Sequence, residues 1–168
     1  MQAKDAIRTA LKSTQHFVNW YLSDLSDADL LVRPTPGANH IAWQLGHLVV
    51  AESMFVTKMP GLDLSGARYP DLPPGFAEQH ARDKAAQDPP TGFATKAQYL
   101  GLFNQARQAT LAALDKVSDA DLDRPTEGRM ATFAPNLGAL FLLTSNHSLM
   151  HTGQFSVVRR KLGKPVLF

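Results

Sequence analysis

Apolar residues recur at three- and four-residue spacing in four separate stretches of this chain, and the prolines fall between those stretches rather than within them. No other feature constrains the fold as strongly. A period near 3.6 lays one apolar stripe along a helix, and proline removes a hydrogen bond that a helix interior needs. The first stretch covers residues 3–25, with Ile7, Leu11, Val18, Leu22 and Leu25 on one side. The second covers 40–59 and is apolar on two sides, Ile41, Leu45, Leu48 and Phe55 on one and Trp43, Val50 and Met54 on another, which suits a largely buried helix. Asn39 is its expected N-cap, and Pro60 with Gly61 ends it. The third covers 96–117 with Thr95 as cap. The fourth covers 136–162, stopped by Gly163 with Pro165 just beyond.

No segment alternates with a period of two, so the expected fold class is all-α, an antiparallel four-helix bundle. Residues 60–94 hold six of the eleven prolines and read as a long proline-rich crossover between the second and third helices, with one short helix near 77–87. Connections of this length are often functional. Residues 25–30, LSDADL, are echoed by VSDADL at 117–122, and Arg-Pro-Thr follows each. Shared turn chemistry or a duplicated helix pair would both explain the echo, and either suggests two helix hairpins joined by the crossover. A length of 168 residues with 44% hydrophobic content fits a single domain, 1–168.

Charge and cysteine content narrow the chemistry. With 17 basic and 15 acidic side chains the formal charge is only +2, so nucleic acid is not an expected partner. Cysteine is absent, which removes disulfides, thiolate ligands and cysteine nucleophiles, and leaves His, Asp, Glu or water to hold any metal. The first thirteen residues have polar side chains interspersed throughout and no continuous apolar core, and no stretch approaches membrane-spanning length, so a cytoplasmic protein with no membrane partner is expected.

The fourth stretch carries His147 and His151 on its core stripe between Thr144 and Phe155. Four residues apart, they project from successive turns of one face, where two imidazoles can share an ion. Burying both without partners would be costly. His47, set among apolar neighbours in IAWQLGHLVVAE, is the candidate third ligand. Three imidazoles with an open position suit a catalytic divalent metal such as zinc, and nickel, iron or manganese fit the same donors. The competing reading makes all three core histidines, bonded to Gln154, Thr144 or backbone carbonyls. Trp43, Gln154 and His40 are candidates for the pocket wall or for support of the ligands, while His16 and His80 read as surface residues. Arg159, Arg160, Lys161 and Lys164 stand at a helix C-terminus, where cations favour the dipole. No Ser-His-Asp order, phosphate-binding Gly-rich loop or paired Glu-x-x-His is present.

The segments LSDADLLVRPTPGANHIAWQLGHLVVAE and NHSLMHTGQFSVVRRKLGKP resemble the two characteristic stretches of the DinB-like superfamily, bacterial metal-binding four-helix-bundle proteins. The resemblance spans nearly the whole chain and includes the moderately specific pattern His-x-x-x-His-x-Gly-Gln. It implies metal ligation by His47, His147 and His151 and frequent homodimers; the ion expected there is zinc or nickel before iron or manganese. It also implies kinship with thiol S-transferases and isomerases that use a low-molecular-weight thiol. The expected function is therefore a metal-dependent enzyme of that type acting on a small-molecule substrate. The alternatives are a non-catalytic, metal-stabilised dimeric bundle that binds a small ligand or partner, and a metal-free dimeric bundle.

Overall fold

In the computed structural model, which describes residues 2–167, the chain is all-helical. The six α-helices are α1 (Ala3–Leu22), α2 (Ile41–Thr57), α3 (Phe76–Gln79), α4 (Lys96–Lys116), α5 (Asp119–Leu122) and α6 (Leu137–Lys161). No strand occurs among the described residues, and only one isolated bridge pairs Pro125 with Asn136. No helix is long and apolar enough to cross a membrane.

Side chains set the helix boundaries. The capping box of α4 is the one expected at Thr95, whose hydroxyl accepts from the Gln98 N–H. The cap of α2 is His40 rather than Asn39, because the imidazole Nδ1 accepts from the Trp43 N–H at 3.1 Å while the Asn39 carbonyl is taken by Gln44. Helix α1 stops three residues before the expected Leu25. Its end is held by Lys96, whose ammonium donates to the carbonyls of Leu22 and Leu25. The short helix expected at 77–87 is instead α3 followed by a 3-10 turn at Arg82–Lys84, broken where Ala81 turns extended at ψ 155°. The repeated SDAD segment forms the same reciprocal cap twice: the Asp29 carboxylate accepts from Ser26 N–H and Ser26 Oγ from Asp29 N–H, and Asp121 and Ser118 do likewise. Both aspartates are held below the usual carboxylate range by these bonds.

Two apolar clusters lie at opposite ends of the four long helices. One gathers the late part of α1 (Val18, Leu22), the early parts of α2 and α4 (Ile41, Leu45, Tyr99, Phe103) and the late part of α6 (Phe155, Val158). The other gathers early α1 (Ile7, Leu11), late α2 and α4 (Val56, Leu111, Leu114) and early α6 (Leu137, Phe141). It follows that α1 and α6 run parallel, as do α2 and α4, with the two pairs opposed. The closest packing is within these parallel pairs, α1 on α6 and α2 on α4, so the expected pair of helix hairpins is corrected: α1 makes little direct contact with α2, and α4 little with α6. A long connection between α2 and α4 makes their parallel pairing possible, because the chain must travel the length of the helices to begin again at the same end.

Between the clusters lies a buried polar layer. Arg107 of α4 is 0% exposed and uses all its donors: Nε and Nη2 to the Glu52 carboxylate of α2 at 2.6 and 3.0 Å, Nη1 to the Leu11 carbonyl and to Thr14 Oγ1 of α1, and Nη2 also to Ser148 Oγ of α6 at 2.9 Å. One guanidinium therefore touches all four long helices. The cation run at the end of α6 is only partly solvated. Arg159 is fully buried, donates to the Tyr21 carbonyl and pairs with Asp24, whose carboxyl it lowers below the ordinary range.

Candidate metal centre

Helices α2 and α6 run in opposite directions, and this brings His47 opposite His147 and His151. One ligand nitrogen from each lies within 4.8 Å of the others, and the ring centroids are 4.8 to 5.4 Å apart. The spacing of the two α6 histidines suits a shared ion. Two imidazole nitrogens about 2.0–2.1 Å from one tetrahedral ion stand roughly 3.3 Å apart, and the Nε2 atoms of His147 and His151 are separated by 3.2 Å.

Neighbouring groups set the tautomer of at least one ligand. The Gln44 amide donates from Nε2 to the Asn39 carbonyl, which turns its Oε1 toward His151, and His151 Nδ1–H donates to that oxygen at 2.8 Å. The lone pair of His151 Nε2 is thereby left facing the other two histidines. His80, which the crossover delivers to α2, packs against Gly46, the residue before His47. Close approach here requires Gly46: a Cβ at that position would lie 2.1 Å from the His80 ring. His80 is itself fixed, its Nδ1–H donating to the Phe76 carbonyl at 2.7 Å and its Nε2 accepting from the Tyr99 hydroxyl at 2.8 Å.

Burial lowers the pKa of His147 to about 4 and of His151 to about 3, and the charge each would place beside the others adds to the effect. His47 is lowered chiefly by burial, and further by the nearby charge of Arg82. All three are neutral near pH 7, as metal ligation requires. Because these folded values lie below the ordinary 6.5, the unfolded chain takes up more protons as the pH falls. Stability of the metal-free protein is expected to be full above pH 6.5 and to decline toward pH 4. His151 alone contributes a slope of up to about 1.4 kcal/mol per pH unit. His40, also lowered to about 4 by burial, acts in the same direction. Urea midpoints that stay constant from pH 7 to pH 5 would contradict this.

The Trp43 indole stacks on His47 at 4.9 Å and 9°, and its N–H donates to the Ala81 carbonyl. Three expectations are corrected. His40 is 1% exposed and is occupied in capping α2, with Phe93 edge-on at 4.4 Å, so it neither lines the cleft nor supports a ligand. The residue that orients His151 is Gln44 rather than Gln154, which is only half-buried on α6. His16 is exposed as expected, but His80 is buried, because the crossover folds it onto Gly46. A polar Gln44 three residues before His47 in an otherwise apolar run was the available signal for its role. Replacing Gln44 with methionine is expected to weaken metal binding about 10- to 100-fold; a competition titration against a chelator that finds less than a twofold change would remove Gln44 from this role.

The site is open on one side. His47 and His147 line a cleft of about 650 Å3 whose walls include Met54, Phe55, Leu143 and Met150. His151 lies deeper, 4% exposed. The arrangement is able to hold a divalent ion by three neutral imidazoles and to leave a coordination position facing a mostly apolar chamber.

The fold is similar to the crystal structure of a conserved protein from Enterococcus faecalis, with a TM-score of 0.67 over 98% of this chain and 99% of that one. At 17% identity the likeness is one of fold. No curated protein matches the sequence. The family profile of the DinB superfamily matches residues 10–155. By that match, which takes in α2, the crossover and the histidines of α6, the chain belongs to the DinB superfamily.

Proposed function

We propose that this protein is a metal-dependent enzyme of the thiol S-transferase or isomerase type, acting on a small molecule in the cytoplasm, with His47, His147 and His151 as ligands of one divalent ion. The observation that carries the reading is the convergence of three neutral imidazoles at the inner end of a cleft. Zinc or nickel is the ion proposed first, with iron or manganese compatible with the same donors. A divalent ion held there supplies the charge that lowers the pKa of a thiol or water placed beside it. The chain's own residues do the rest: Gln44 holds the His151 tautomer, Trp43 braces His47, and the apolar walls keep water from the reacting groups.

We place this site in a single domain, 1–168, built as a four-helix bundle whose proline-rich crossover shapes substrate choice through Arg82. Thiol-dependent conversion of an electrophilic small molecule by the metal-loaded protein, lost in His47→Ala while the helical circular dichroism is retained, is the expected result. A loaded, folded protein inert toward a panel of low-molecular-weight thiols would favour the alternative, a non-catalytic metal-stabilised dimer that binds a small ligand or partner.

Both readings include a homodimer. Leu142, Leu149 and Val157 are exposed on α6, 40%, 48% and 49% respectively, at spacings that place them along one stripe. Trp20 of α1 is also exposed, at 37%. Leu149→Glu is expected to shift sedimentation from dimer to monomer, and a parent protein that sediments as a monomer at micromolar concentration would end the dimer proposal.

A further inference from the structure

The cleft beside the histidines has a chemical character of its own. Its volume of about 650 Å3 falls within the range of sites that hold small organic molecules. Three of its apolar side chains remain well exposed, Phe133 at 61%, Met150 at 56% and Met54 at 42%. Methionines and an aromatic ring held at an open mouth make an adaptable apolar wall, of the kind a ligand covers.

Two charges of one sign reach the same cleft. Arg82 comes from the 3-10 turn at Arg82–Lys84 in the crossover, and Arg129 from the 3-10 turn at Gly128–Thr132 before α6. No Asp or Glu lines the cleft with them. Five of the nine arginines, Arg8, Arg33, Arg107, Arg124 and Arg159, pair with a carboxylate. The side chains of Arg82 and Arg129 have neither an ion pair nor a hydrogen bond among the described residues. Two guanidiniums without carboxylates, on separate loops over an apolar chamber, match a ligand with a planar anion at one end and an apolar body at the other.

We propose that the cleft binds a small organic acid with an aryl or alkyl body, its carboxylate held by Arg82 and Arg129 and its body against Phe55, Met130 and Met150. This rests on reading the cleft as the substrate site of a metal-dependent enzyme, and it names the class of that substrate. Because the two arginines belong to different loops, the acid also ties the crossover to the segment before α6.

The test uses the full chain stripped of metal, so that no carboxylate can bind through an ion. NMR chemical-shift titrations with 4-phenylbutyrate and with the neutral 4-phenylbutanamide give the two affinities. The acid is expected to bind at least about tenfold more tightly, and the preference should vanish in the Arg82→Gln/Arg129→Gln double variant while amide affinity stays within about twofold. Equal affinity for acid and amide, an acid preference that survives the double variant, or binding of neither probe overturns the proposal. Acid selectivity in a chain that takes up no metal would defeat the metal reading alone, and metal uptake without selectivity would defeat this proposal alone.

Discussion

Glu52→Ala is expected to destabilise the protein by about 3–5 kcal/mol, because it leaves the Arg107 guanidinium charged, buried and without its counter-ion. Arg107 is 0% exposed and Glu52 2%, so water cannot take the carboxylate's place without opening the layer between the two apolar clusters. A typical domain has only about 5–15 kcal/mol to lose, so the variant stands close to unfolding at 37 °C. Replacing both partners with apolar residues of similar volume, as in Glu52→Leu with Arg107→Met, is expected to recover most of the loss, since no unpaired charge then remains. Urea denaturation of the parent, the single variant and the double variant measures the pattern. A single variant within about 1 kcal/mol of the parent would show that the layer is wetter than its burial indicates.

The second large effect is metal-linked. Zinc binding only the folded chain, at a free concentration about a thousandfold above its Kd, adds about 4 kcal/mol of stability. For a chain of this size that raises the melting temperature by about 10 °C. His147→Ala should abolish the increment and most of the bound zinc while leaving the metal-free melting temperature nearly unchanged, because His147 is only half-buried and, among the described residues, has no partner beyond the other histidines and the Phe55 ring. Elemental analysis of untagged protein, paired with thermal melts before and after chelation, reads both quantities. A parent that purifies without metal and melts at the same temperature with added zinc would mean that these are core histidines, satisfied by Gln44 and one another.

Much of this was legible in the sequence because it is set locally. The periods of the four long helices, the cap at Thr95, the stop at Gly163 and the one-face spacing of His147 and His151 each depend on a few consecutive residues and on steric rules that hold in any context. His47 was legible too, as a lone imidazole in an apolar helix. The capping box formed by each SDAD segment belongs to the same class.

Other features arose only when distant segments met. The stripe of α4 gives no local sign that Arg107 is buried, because its donors are satisfied by residues 41 to 96 positions away on three other helices. His80 looked solvated in sequence because nothing nearby buries it; the crossover does, by packing its ring against Gly46, and the same crossover sets Phe93 against His40. Gln44 finds its partner 107 residues along the chain. The sequence by itself thus determined which segments are helical and which imidazoles share a face, because local sterics and hydrogen bonding decide those. Tertiary structure alone decided which helices lie side by side, which polar groups are buried, and which amide fixes the tautomer of His151, because each of those depends on desolvation and on partners that only the assembled helices supply.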